Sequence, residues 1–197
     1  MASRKRDYSR KKKVRPHNPL CIIVAEDSVT GAVSYLRAFK TVSNSNFTFK
    51  NIDQTDPKKL VESTKNYLKN KKKGFGDTAG DTLWVVCDVD QNNNSQLGEV
   101  ATLCQGYGYS LIVSNPCFEL WELYHQQSCH NRPFQNSQEC KSAGKNFSLE
   151  LTQKNVQYAI EHAKKIDCEQ GYPTFPTCQG SHMYKLVEFL LKQQKKN

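Results

Sequence analysis

Leu83-Trp84-Val85-Val86-Cys87-Asp88-Val89-Asp90 decides the fold. Its first five residues form a continuous apolar run without polar alternation. That is the pattern of a strand buried on both faces, as in a parallel sheet. The run stops at two aspartates two positions apart. In an extended segment residues i and i+2 point to one side, so Asp88 and Asp90 are expected to present two carboxylates together.

Two further runs share this design. Leu20-Cys21-Ile22-Ile23-Val24-Ala25 ends at Glu26-Asp27-Ser28, and Tyr109-Ser110-Leu111-Ile112-Val113 ends at Ser114-Asn115-Pro116. Phe47 to Ile52 reads as a more exposed strand, interrupted by Lys50. Helical patterns lie between the runs: Val29, Val33, Leu36 and Phe39; Leu60, Val61, Tyr67 and Leu68; Leu97, Val100, Ala101 and Cys104. Asp56-Pro57 is a cap followed by proline at the first helical position. Strands alternating with helices predict an α/β fold of about four mainly parallel strands between crossover helices. A short helix is expected from Pro116 to about His125. Residues 126–148 read as an irregular insertion and 149–197 as C-terminal helices, at about 152–166 and 181–195. Residues 1–18 read as a flexible basic arm and 19–197 as the folded domain.

Lys and Arg exceed Asp and Glu by nine in the 197 residues. Arg4, Lys5, Arg6, Arg10, Lys11, Lys12, Lys13 and Arg15, against Asp7 alone, put +7 of this into the first 15 residues. Each arm cation can displace a counterion from a phosphate backbone. The arm, with Lys71, Lys72 and Lys73, therefore reads as a sequence-blind nucleic-acid contact. The opening segment lacks the apolar stretch of a signal peptide, and no run approaches the ~18 apolar residues of a membrane span. Eight cysteines without a secretion signal suggest reduced thiols in a cytoplasmic protein. No two cysteines have zinc-motif spacing, and there is no Gly-x₄-Gly-Lys-Ser/Thr segment. Zinc modules and P-loop ATPases are thereby disfavoured.

Ligands of open α/β sheets bind outside the carboxyl ends of the strands. Three run-ends carry acids or amides: Glu26 and Asp27; Asp88 and Asp90; Ser114 and Asn115, with Glu119 one helical turn on. Close carboxylates repel unless protonated or neutralised by a cation. Mg²⁺ takes such oxygen ligands, keeps bound water, and polarises phosphoryl oxygens. Glu26, Asp88 and Asp90 are the expected ligands of Mg²⁺ or Mn²⁺, with Glu119 a further ligand or base. Asp27, Ser114, Asn115 and His125 are candidates to contact the same site. Each of these residues alone has an ordinary reading as a turn former or helix cap. His125 and His182 read as a base, a phosphate contact or satisfied structural residues, with a catalytic role the less expected.

A strand-end Glu followed by a later Asp-x-Asp resembles the Toprim domain of topoisomerases, primases and related nucleases. More narrowly, Ser114-Asn115-Pro116-Cys117-Phe118-Glu119-Leu120-Trp121 with His125 looks like the hallmark of the RloB-like family. Val24-Ala25-Glu26, Tyr35-Leu36, Cys87-Asp88-Val89-Asp90 and His182 with Leu186-Val187 fit it too, over about residues 20–192. The resemblance implies a Toprim-like core, a divalent-metal site and a nuclease subunit of bacterial anti-phage defence. Such a subunit hydrolyses phosphodiester bonds in DNA or RNA, tRNA included. It would act under a partner ATPase of the ABC/AAA type, as in abortive-infection systems such as AbiL, and an oligomer is compatible with this. Where that family reads Glu-Gly-x-x-Thr-Glu, this chain reads Glu26-Asp27-Ser28-Val29-Thr30-Gly31, so the second acid is absent. Two alternatives stay open: a non-catalytic module binding nucleic acid or nucleotide, and primase-like nucleotidyl transfer.

Overall fold

The computed structural model describes residues 19–26, 31–52, 54–70, 75–76, 79–90, 94–127, 129, 133–144, 150–171 and 174–194. The basic arm, Asp27, Val29 and Lys71 to Lys73 lie outside the described residues. Strands β1 (Cys21–Ala25), β2 (Thr48–Phe49), β3 (Thr82–Asp88), β4 (Ser110–Asn115) and β5 (Gly180–Ser181) form one sheet in the order β2-β1-β3-β4-β5. The first four are parallel, and β5 pairs antiparallel with β4.

The unbroken apolar runs bury both faces of this sheet, as their lack of alternation requires. Ile23, Ala25, Trp84, Val86 and Ile112 enter one core with α1 (Gly31–Ser43), α4 (Glu119–Leu123), α5 (Ser137–Gly144), α6 (Gln153–Gln170) and α7 (Met183–Gln194). Ile22, Val24, Leu83 and Val85 enter the other with α2 (Pro57–Lys69) and α3 (Asn94–Tyr107). The crossover helices thus cover both faces, and every parallel strand delivers its carboxyl end to one edge. Asp56 caps α2 as expected, accepting from the Lys59 N–H at 2.8 Å. No described helix is long and apolar enough to cross a membrane.

Two expectations need correction. The stretch 126–148 is not wholly irregular, because it contains α5. Asn136 Oδ1 accepts from the Glu139 N–H at 2.9 Å, and Glu139 reaches back to the Gln135 N–H at 2.9 Å. This reciprocal capping was readable in the spacing of Asn136 and Glu139. The last helix also begins later than 181. Gly180 and Ser181 form the fifth strand instead, and the His182 N–H donates to Val113 O at 3.0 Å. Two residues are too few to show alternation, so only tertiary pairing reveals this strand.

Leu36 is fully buried on α1, whereas Asp56 is exposed. Leu36→Ala should cost about 2–5 kcal/mol of stability and Asp56→Ala about 1 kcal/mol. Urea unfolding measures both, and the reverse ranking would contradict this layering.

Candidate functional site

Parallel pairing sets the ends of β1, β3 and β4 side by side. The Glu26 N–H donates to Val86 O at 3.3 Å, continuing the β1–β3 ladder one residue past the strand. The Asp88 backbone then hydrogen-bonds the Glu26 carboxylate, and the Phe118 backbone hydrogen-bonds that of Asp88. Oε1 of Glu26 is buried without a hydrogen-bond partner, and so is Oε2 of Glu119 in the first turn of α4. α5 closes against Glu119 at Gly144, where an added Cβ would lie 3.0 Å from the Glu119 Cβ. A larger residue there would push on the acid.

The electrostatics follow from this crowding. Burial pushes the Glu26 carboxyl up to about 8, reinforced by the charges of Asp88, Asp90 and Asp56. Burial likewise pushes Asp88 up to about 7. Glu119 and Asp90 add to that rise, while the Phe118 backbone and Lys141 oppose it. Glu122, one turn after Glu119, is raised to about 7 by burial and by the Glu119 charge. The acids therefore form a continuous series of repelling neighbours with too little cationic compensation.

Asp90 departs from the expected geometry. β3 ends at Asp88, and Asp90 has a φ of +36°, so the extended alternation does not reach it. Its N–H donates to Pro116 O at 2.8 Å, tying the loop after β3 to the turn after β4. Its carboxylate accepts from Lys141 Nζ of α5 at 3.1 Å. Burial would raise the Asp90 carboxyl, but Ser137 and Lys141 outweigh it and hold it below the usual range.

Among the described residues, no group of three or more His, Cys, Asp or Glu side chains is arranged to hold a metal ion. The donor chemistry nevertheless fits a hard divalent cation. The acids offer only oxygen, and buried carboxylate oxygens on Glu26 and Glu119 lack partners. Glu26 and Asp88 are the pair that fits, whereas Asp90 is engaged by Lys141.

The remaining candidates have structural duties. Ser114 Oγ and Ser181 Oγ share a buried hydrogen bond of 2.8 Å, joining β4 to β5. Asn115 Nδ2 donates to Pro176 O at 3.1 Å. His125 is 2% exposed and occupied at both ring nitrogens, with Trp121 O at 2.9 Å and the Tyr35 hydroxyl at 3.1 Å. Burial drives its pKa down to about 4, so it stays neutral. His182 is 1% exposed and meets Asp167 at 3.1 Å. Asp27, the arm and Lys71 to Lys73 cannot be placed, lying outside the described residues. Cys129 and Cys140 are buried thiols, and Cys178 is an exposed one.

Sequence reading missed Glu122 and Lys141. The three-residue spacing of Glu119 and Glu122 on a short helix could have indicated the first. Nothing in the sequence pairs Lys141 with a residue 51 positions away.

A protein-family model described as RloB-like protein matches residues 21–190. No curated protein and no solved structure matches the chain.

A carboxyl raised by folding binds more protons in the native than in the unfolded state, so stability falls as pH rises between its two pKa values. For Glu26 that window runs from 4.5 to about 8, and for Asp88 from 3.8 to about 7. The depressed His125 has the opposite effect below its ordinary 6.5. Scanning calorimetry of metal-free protein should therefore show Tm falling from pH 6.5 to 8, with a smaller fall in Asp88→Asn. An equal fall in both proteins would show that the acids are not coupled as described.

Proposed function

The chain belongs to the RloB-like family, and on that premise we propose that it is a divalent-metal-dependent phosphodiester hydrolase. It would serve as the nuclease subunit of a cytoplasmic anti-phage system, on a Toprim-like core, under control of a partner ATPase. The observation that carries this reading is the meeting of Glu26 with Asp88 at the carboxyl edge of a parallel sheet, where the Asp88 backbone hydrogen-bonds the Glu26 carboxylate and burial raises both carboxyls. Such a pair favours whatever restores its charge balance.

Glu26 and Asp88 would hold Mg²⁺ or Mn²⁺, with the unpartnered Glu119 oxygen as a further donor. The cation, when bound, would polarise a phosphoryl oxygen and lower the pKa of water. Glu122, with a carboxyl near 7, is suited to accept and return a proton at working pH. Lys141 keeps Asp90 ionised and gives an incoming phosphate a positive contact at an otherwise acidic rim. The basic arm and Lys71 to Lys73 would supply long-range attraction to DNA or RNA.

One observation favours a second reading. The segment Glu26-Asp27-Ser28-Val29-Thr30-Gly31 has Gly31 where the family pattern has a second acid, which suits a module that binds nucleic acid without cleaving it.

Asp88→Ala should abolish Mn²⁺-dependent cleavage of labelled DNA or RNA by the pure protein with its ATPase. The expected loss exceeds the ~100-fold typical of changes behind a metal ligand. Retained cleavage would sink the assignment. Wild-type protein that takes up no Mn²⁺ in a calorimetric titration would favour the non-catalytic module.

A further inference from the structure

A different surface occupies the opposite end of the sheet. Crossover helices run back from the carboxyl edge, so α2 ends at Lys69 and α3 at Tyr107 close to where β4 begins. Tyr107 and Tyr109 flank Gly108, whose φ of +69° turns the chain from α3 into β4. Their rings lie 5.6 Å apart, and Phe75 meets Tyr109 edge-on at 6.1 Å. All three rings are half-buried on the outer margin of the α2–α3 core.

Lysines accompany these rings. Lys65 Nζ lies 3.9 Å from the centroid of Tyr107. Lys58, Lys65 and Lys69 are spaced by seven and four residues, which places them along one flank of α2. Lys58 is neutralised by Glu99 at 2.7 Å. Among the described residues, Lys65 and Lys69 have no carboxylate partner. Asp81, just before β3, accepts from the backbone N–H groups of Leu20 and Gly76 at 2.7 and 2.9 Å and pairs with neither lysine. This end of the molecule therefore offers aromatic surface and positive charge together.

We propose that this surface binds single-stranded nucleic acid, with bases on Tyr107 and Tyr109 and phosphates at Lys69 and at Lys65, which swings off the Tyr107 face it covers in the free protein. Every base has a π-face, so tyrosines recognise an unpaired strand without regard to sequence. A duplex hides those faces and cannot use the rings. The inference deepens the nuclease reading by naming the strand that is held, but binding here requires no metal. The seven residues of β3 separate this surface from the acidic rim by roughly 20 Å. A strand anchored here must run along α2 and α3 to reach the acids.

The test is fluorescence anisotropy with full-length protein in EDTA, using labelled dT₂₀, U₂₀ and a 20-base-pair duplex. Tyr107→Ala with Tyr109→Ala should weaken both single strands by about tenfold or more, leave the salt slope unchanged and spare the duplex. The Tyr→Phe pair should bind as wild type. Lys65→Glu with Lys69→Glu should flatten the slope of log K against log salt for single strands by about 1.4. Lys69 is exposed and Lys65 is half-buried beside Tyr107, and neither belongs to the apolar core, so that pair carries the test if the alanine pair unfolds. Unchanged single-strand binding in the alanine pair, or equal losses for strand and duplex, would overturn the proposal. Loss of ATPase association with intact oligonucleotide binding would overturn it too, marking a protein interface instead. Binding here without cleavage would overturn only the nuclease reading. Cleavage with binding indifferent to these residues would overturn only this one.

Discussion

Glu26 and Asp88 are held close because β1 and β3 pair in parallel and end at one edge, where the Asp88 backbone hydrogen-bonds the Glu26 carboxylate. The rest of the structure serves or answers that constraint. Apolar runs without alternation keep the two strands central, and helices on both faces keep water from the sheet. Solvation that would relieve the repulsion is withheld, so both carboxyls rise towards neutrality. Two neighbouring carboxyls in this condition are poised for a cation.

α5 answers the same constraint from outside. It brings Lys141 to Asp90, and at Gly144 it presents backbone where Glu119 passes. The string from Ser114 to His125 acts largely beneath the acids. Phe118 supplies the backbone contact to Asp88, while Trp121 and His125 pack around Tyr35. One of its residues, Glu119, reaches the acidic rim, and the others fix where that rim lies.

The sheet was legible because its strands are long apolar runs ending at polar residues, and α2 because Asp56-Pro57 marks its start. The placement of Glu26 and Asp88 followed from topology alone. Asp90 did not follow: periodicity describes an extended chain, and a left-handed residue ends the extension. Ser114, Asn115 and His125 looked available because sequence cannot show partners from distant elements, such as Ser181, Pro176 and Tyr35. Lys141 was invisible for the same reason, and β5 is too short to carry a pattern. The charge also divides differently from its first appearance. The folded body holds an acidic rim at one edge of the sheet and a lysine–tyrosine surface at the other.

The most direct measurement of the central claim is anomalous scattering from a crystal of the protein soaked in Mn²⁺. A manganese peak between Glu26 and Asp88, within coordinating distance of the unpartnered Glu26 Oε1, is the predicted result. Manganese bound elsewhere, with that pair left empty, would contradict it.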